Sequence, residues 1–219
     1  SKLSGNFTLF YNHFKDKIAD GDDVHITGNP EIPDGSYSQQ VNVDKALTYG
    51  AEFGTRYAFT PAVQLSVNYT YTDSEQKSGN NKGAALTNTA KHLVNTTLHW
   101  QTTDKINLWL RGEHRGKRAR FLSRYENLND NDRALYDQLG SKLKAFELFH
   151  LGGTYQAANN VRISAAVYNL LDKNFMRAKT YTDSKGKLAT SSDYAVFGRS
   201  TTGTLDEGRR FWLSVNYDF

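Results

Sequence analysis

Phe211-Trp212-Leu213-Ser214-Val215-Asn216-Tyr217-Asp218-Phe219 closes the chain, and its side chains alternate without a break. Phe211, Leu213, Val215, Tyr217 and Phe219 fall on one side, with Trp212, Ser214, Asn216 and Asp218 on the other. A period of two marks a β-strand with one apolar face. Soluble domains usually let their last residues fray, so a strand that runs to an aromatic carboxyl terminus predicts the tail of a membrane β-barrel.

Seven earlier stretches repeat the pattern. Phe7, Leu9 and Tyr11 mark the first, and Tyr49, Ala51, Phe53, Thr55, Tyr57 and Phe59 the second. Val63, Leu65, Val67, Tyr69 and Tyr71 form the third, and Val94, Thr96, Leu98 and Trp100 the fourth. Ile106, Leu108 and Leu110 give the fifth, Phe149, Leu151, Gly153 and Tyr155 the sixth, and Val161, Ile163, Ala165 and Val167 the seventh. The intervening positions include Glu52, Arg56, Gln64, Ser66, Asn68, Asn107, Arg111, Arg162 and Ser164, which belong in water.

Connections sort by length. Thr60-Pro61-Ala62, Thr102-Thr103-Asp104-Lys105 and Ala157-Ala158-Asn159-Asn160 are turns in size and composition. Residues 15–46, 72–90, 116–143 and 171–208 read as long polar loops. Short turns at one end and long loops at the other are the sidedness of a bacterial outer-membrane barrel, with turns in the periplasm and loops outside. A soluble sandwich leaves that sorting unexplained.

Composition agrees. Thirteen Tyr, twelve Phe and three Trp suit interfacial girdles, and the absence of Cys excludes disulfides and thiolate metal sites. With 27 Lys and Arg against 23 Asp and Glu, the net charge of +4 gives no reason to expect nucleic acid. The mean hydropathy of -0.66 looks soluble, but half of each barrel strand faces a wet lumen. No apolar run approaches the roughly 18 residues of a spanning helix. Met176 is the only methionine and the chain opens at Ser1 inside a strand, so a piece of a longer protein is expected.

Several stretches resemble TonB-dependent siderophore receptors, with ferric enterobactin and other catecholate receptors the nearest type. Phe10-Tyr11-Asn12-His13-Phe14-Lys15-Asp16-Lys17-Ile18-Ala19, Tyr49-Gly50-Ala51-Glu52 and Asn95-Thr96-Thr97-Leu98-His99-Trp100 are similar to strands of that family. More specific are Val167-Tyr168-Asn169-Leu170-Leu171-Asp172-Lys173-Asn174-Phe175 and Glu207-Gly208-Arg209-Arg210-Phe211-Trp212, the latter opening the last strand. Leu171 stands where the family usually has Phe. The resemblance implies an all-β fold: residues 1–219 would be the C-terminal portion of a transmembrane antiparallel β-barrel, the last eight of twenty-two strands. The plug domain and TonB box would lie outside the chain.

Asn169 to Lys173 read on their own chemistry as a strand-to-loop transition, since Asn and Asp side chains bond nearby backbone. Arg209 and Arg210 read as structural rim cations. The six histidines lack metal-ligand spacing, no catalytic constellation emerges, and Asp20-Gly21-Asp22-Asp23 lacks the remainder of a calcium loop. A carrier is expected, with no enzyme activity and no resident cofactor.

A ferric catecholate is a bulky trianion with aromatic faces, so its receptor needs cations to offset charge and rings to stack on. Two loops concentrate both. The third offers Arg118, Arg120, Arg124 and Tyr125, and the last offers Arg177, Lys179, Tyr181, Tyr194, Phe197 and Arg199. From these, Arg118, Arg120, Arg124, Tyr125, Arg177, Tyr181, Tyr194 and Arg199 are the candidate ligand contacts. The competing assignment for the cations is lipopolysaccharide phosphate. The resemblance implies a ferric siderophore, TonB, and the plug and earlier strands of the same receptor as partners, with bacteriocins or phages as further users of the loops. Other readings are a haem or cobalamin receptor, or an eight-stranded barrel or adhesin that closes on itself. An isolated open sheet would leave two unpaired edges in lipid, so stability is expected only with the remaining strands.

Overall fold

The computed structural model describes residues 2–20, 24–37, 39–87, 89–175, 178–194 and 208–218. Eight long strands make one antiparallel sheet: β1 (Leu3–Asp20), β2 (Gln40–Thr60), β3 (Val63–Gln76), β4 (His92–Thr103), β5 (Ile106–Arg115), β6 (Phe146–Ala158), β7 (Val161–Tyr168) and β8 (Arg210–Tyr217). Each pairs with its neighbours in sequence, and β1 and β8 lie at opposite edges. The sheet is therefore open, contrary to the self-closing alternative. Phe219 lies outside the described residues.

Register explains the alternation. Leu3, Tyr57, Leu65, Leu98, Leu110, Leu151, Val167 and Phe211 are cross-strand partners in one unbroken apolar row over all eight strands. One residue along, Ser4, Arg56, Ser66, Thr97, Arg111 and His150 form a polar row on the opposite face. Large apolar side chains stand bare on the first face, among them Phe7 at 64% and Leu213 at 69% exposure. In water such a surface would drive association; in a bilayer it is the lipid-facing wall.

Each short turn is a two-residue connection preceded by a break in register, between Ala58 and Thr60, Gln101 and Thr103, and Gln156 and Ala158. Thr60 Oγ1 accepts from the amides of Ala62 (3.2 Å) and Val63 (3.0 Å), closing the first.

Two of the expected loops prove shorter than their composition suggests. β1 runs on to Asp20 and β2 begins at Gln40, where residues 15–46 had read as loop. At about 3.3 Å per residue the 18 residues of β1 span roughly 60 Å, far more than an apolar band about 25 Å tall. The hairpin projects beyond the membrane, where both faces meet water and alternation no longer marks a strand. Asp16, at φ 52°, interrupts its register. β3 likewise continues to Gln76.

The third loop also departs from expectation, because it holds a 3-10 turn, Tyr125–Asn127, and a helix, α1 (Asp130–Leu139). Asn129 caps the helix by accepting from the Asp132 amide at 2.8 Å, and Gly140 ends it at φ 82°. Such capping satisfies otherwise orphaned backbone groups.

Candidate ligand-binding vestibule

At the outer end of β7 the chain leaves the wall through Asn169, which adopts a left-handed φ of 49°. Its side chain is a two-way clip: Oδ1 accepts from the Lys173 amide (2.7 Å) while Nδ2 donates to the Lys173 carbonyl (3.0 Å). The Asn169 amide donates to Nδ1 of buried His150 at 3.1 Å. That bond fixes a neutral His150 as the Nε2–H tautomer, with Nε2 3.4 Å from Glu113 Oε1. Asp172 Oδ1 then accepts from the Arg209 amide at 3.1 Å, joining the exit from β7 to the approach to β8. The two most specific sequence motifs thus meet through a hydrogen bond and act as strand caps.

Above the wall, three loops pack together. Phe121, Leu128 and Leu135 are buried against Tyr136, Leu139 and Tyr181, so the third loop carries its own small core. A hairpin of the last loop, Ala178–Thr182 with Leu188–Ser192, lies on it. Gln138 clamps that hairpin, donating from Nε2 to the Thr182 carbonyl (2.7 Å) and accepting the Thr182 amide at Oε1 (2.9 Å). From the second loop, Asn81 Oδ1 accepts from the Arg124 amide (3.1 Å) and from Asn127 Nδ2 (2.8 Å). Gln76 Nε2 donates to the Leu122 carbonyl at 2.6 Å.

Beneath this lid, the lumen face of β5 to β8 carries paired cations and rings. Arg111 lies 5.5 Å from the Trp109 ring centre, Arg115 5.8 Å from Phe146, and Arg210 4.7 Å from Tyr168. In the last loop, Lys173 Nζ sits 4.5 Å from the Tyr194 ring. Phe146, Phe175 and Tyr194 pack edge to face, with centroids 4.9 to 6.0 Å apart. Gly152 lets Trp109 lie flat on the wall, since a Cβ there would meet the indole at 2.4 Å. Among the described residues no group of three or more His, Asp or Glu is arranged to hold a metal ion.

Residues 1–170 match the family model described as TonB dependent receptor-like, beta-barrel. The chain belongs to the TonB-dependent receptor β-barrel family. It is 35% identical over 221 residues to the iron-regulated outer membrane virulence protein of Vibrio cholerae serotype O1, a match covering 100% of this chain and 29% of that protein. It is 26% identical to the ferric enterobactin receptor of Pseudomonas aeruginosa, with 99% of this chain and 27% of the relative covered. A crystal structure of a mutant of the Pseudomonas aeruginosa ferric enterobactin receptor superposes with a TM-score of 0.64 at 25% identity, covering 100% of this chain and 29% of that one. The chain thus spans about 29% of the length of the curated Vibrio relative. These coverages agree with a segment of a larger TonB-dependent receptor barrel, and the chain is an outer-membrane protein.

Within this receptor segment the two loops nominated from sequence are brought together, but several nominated side chains hold the loops to each other. Arg120 is buried, and its Nη1 donates to Ser191 Oγ (2.9 Å) and the Ser192 carbonyl (3.1 Å). Arg118 donates to the Tyr194 carbonyl, and Tyr181 packs on the third-loop core. Arg124 pairs with Glu126 at 3.4 Å in solvent. Tyr125 donates to Asp137 Oδ2 at 3.2 Å, which raises its phenol above the ordinary tyrosine range. The ring of Tyr194 faces Lys173 and the aromatic cluster. Arg177, Phe197 and Arg199 lie outside the described residues. Trp109, Arg111, Tyr168 and Arg210 were not nominated as ligand contacts, although their alternation already put them on the wet face.

Proposed function

We propose that the receptor containing these strands captures a ferric siderophore of catecholate type at the outer mouth of the barrel and imports it in a TonB-dependent step. The observation that carries this reading is the run of cation and ring pairs on the lumen face, Arg111 with Trp109, Arg115 with Phe146 and Arg210 with Tyr168. Guanidinium groups offset the charge of a tris-catecholate iron complex, and aromatic faces accept its flat rings. A lumen with low-dielectric walls focuses the field of such groups and favours capture of anions. The relatives named for ferric enterobactin support the same ligand class. Uptake by this route makes no covalent change to the iron complex. The plug and remaining strands of the receptor complete the site, and the packed outer loops form its roof.

The test is binding of ferric enterobactin to the whole receptor in detergent, followed by quenching of tryptophan fluorescence, beside a neutral ferric trihydroxamate. Arg111→Gln with Arg115→Gln is expected to weaken the catecholate by about tenfold or more while leaving the neutral complex unchanged. Equal binding of the two complexes, or an unchanged double variant, would refute the proposal.

A further inference from the structure

The ladder between β6 and β7 stops at the pair Leu151 and Val167, and past it two bonds of different kinds continue the hold on the exit from β7. The Leu170 amide donates to the Phe149 carbonyl at 2.7 Å, an acceptor at every pH. The Asn169 amide donates to Nδ1 of His150 at 3.1 Å, and that nitrogen accepts only while the ring is neutral. A protonated imidazole carries hydrogen on both nitrogens, so its Nδ1–H would face the amide N–H and the bond would be lost. His150 and Asn169 are both buried, which leaves water little room to replace it.

The other ring nitrogen faces a carboxylate. Nε2 is buried with no hydrogen-bond partner among the described residues, and Glu113 Oε1 stands 3.4 Å away, diagonal to His150 across the ladder between β5 and β6. Arg111 is the direct cross-strand partner of His150 and disfavours a second cation beside it. From β7 the Tyr168 ring lies 5.5 Å from the imidazole, and Arg210 of β8 stacks on that tyrosine. Protonation therefore loosens the grip on Asn169 and tightens the one on Glu113. The base of the last loop depends on this junction: the Asn169 carbonyl accepts the Asp172 amide at 2.9 Å, and Asp172 Oδ1 reaches the Arg209 amide on the return to β8. The hairpin carried by the same loop is the one that Arg120 and Gln138 hold against the third loop.

We propose that His150 is a pH-sensitive catch: neutral, it fastens Asn169 and with it the base of the last loop; protonated in mild acid, it turns to Glu113 and lets that base open. Opening takes up a proton, so the catch is complete above the ordinary histidine value of about 6.5 and is lost progressively as pH falls below it. The ligand carried by the lumen face plays no part in this device or in its test.

Amide hydrogen exchange of the whole receptor in detergent tests it, with each rate divided by the intrinsic rate of the free peptide at the same pH. With an open state that titrates as ordinary histidine, protection of the Leu170 and Lys173 amides is expected to fall about tenfold between pH 7.5 and pH 5.5. His150→Asn keeps an oxygen acceptor near the Nδ1 position and cannot titrate, so its protection should be the same at both values. Glu113→Gln removes the carboxylate that receives the protonated ring, so protection should fall less than in the wild type. A wild type with no pH dependence, an asparagine variant that keeps it, or an equal fall at the Thr60-Pro61-Ala62 turn on the opposite end of the barrel would each overturn the proposal. Where the asparagine variant yields no folded barrel, an undiminished fall in Glu113→Gln overturns it.

Discussion

Replacing Asn169 separates two physical contributions at the exit from β7. Asn169→Ala removes the bonds from the Lys173 amide (2.7 Å) and to the Lys173 carbonyl (3.0 Å) and places a plain Cβ residue at φ 49°. Two neutral hydrogen bonds contribute about 2 kcal/mol, and left-handed backbone without a compensating polar side chain adds about 1 kcal/mol. Local opening should be easier by roughly 3 kcal/mol, on the order of a hundredfold in the equilibrium. Asn169→Gly loses the same two bonds but tolerates the backbone, so its effect should be about 2 kcal/mol, near thirtyfold. The assay is amide hydrogen exchange of the whole receptor, read on the peptide covering residues 168–175. Leu170 and Lys173 report directly, because their amides bond to the Phe149 carbonyl and to Asn169 Oδ1. If glycine accelerates exchange as much as alanine, the backbone contribution is wrong. If neither accelerates it, the side-chain clip is not what holds this exit.

Other outcomes follow from the same geometry. Gly50→Ala would put a Cβ 1.8 Å from the Tyr71 carbonyl oxygen, so it should cost about 3 kcal/mol or more and reduce the yield of heat-modifiable folded barrel on gels. Gln138→Ala removes both bonds to Thr182 and should loosen the last-loop hairpin by about 1 to 2 kcal/mol, measured as faster exchange of the Thr182 amide. Tyr125 should ionise above the usual tyrosine range because its hydroxyl donates to Asp137, and Asp137→Asn should lower it in an ultraviolet titration. The neutral phenol is the form favoured by folding, so this contribution is present below the unfolded pKa and is lost as pH rises through the folded one.

Where the bilayer imposes two different surroundings on the two faces of a strand, residue order was enough to read it. Leu65 and Ser66, or Leu110 and Arg111, cannot exchange faces without placing charge in lipid, and this also fixes register. Outside the bilayer that constraint disappears, so Lys15 and Lys45 are paired in a ladder that looks like loop in sequence. Helix α1 was overlooked because only Leu135 is buried along it, although Asn129 and Gly140 were visible start and stop signals. The concentration of Arg and aromatic residues in the third and last loops was visible in sequence. Partner choice was not: nothing local to Arg120 says that it will reach Ser191, and Arg111 and Trp109 read as ordinary wet wall until the lumen face was assembled.

The repeated break before each periplasmic turn has an evolutionary consequence. Phe59, Thr102 and Ala157 are the residues skipped in the three hairpins, always on the strand that enters the turn. A bulge bends its strand and raises the local twist, so three hairpins that skip a residue at the same place are bent at the same place. Each hairpin is then an interchangeable stave. A gene that duplicates or loses one whole stave would change the circumference of the barrel by two strands while preserving the slope of its neighbours, so barrels of this kind can change size in even steps.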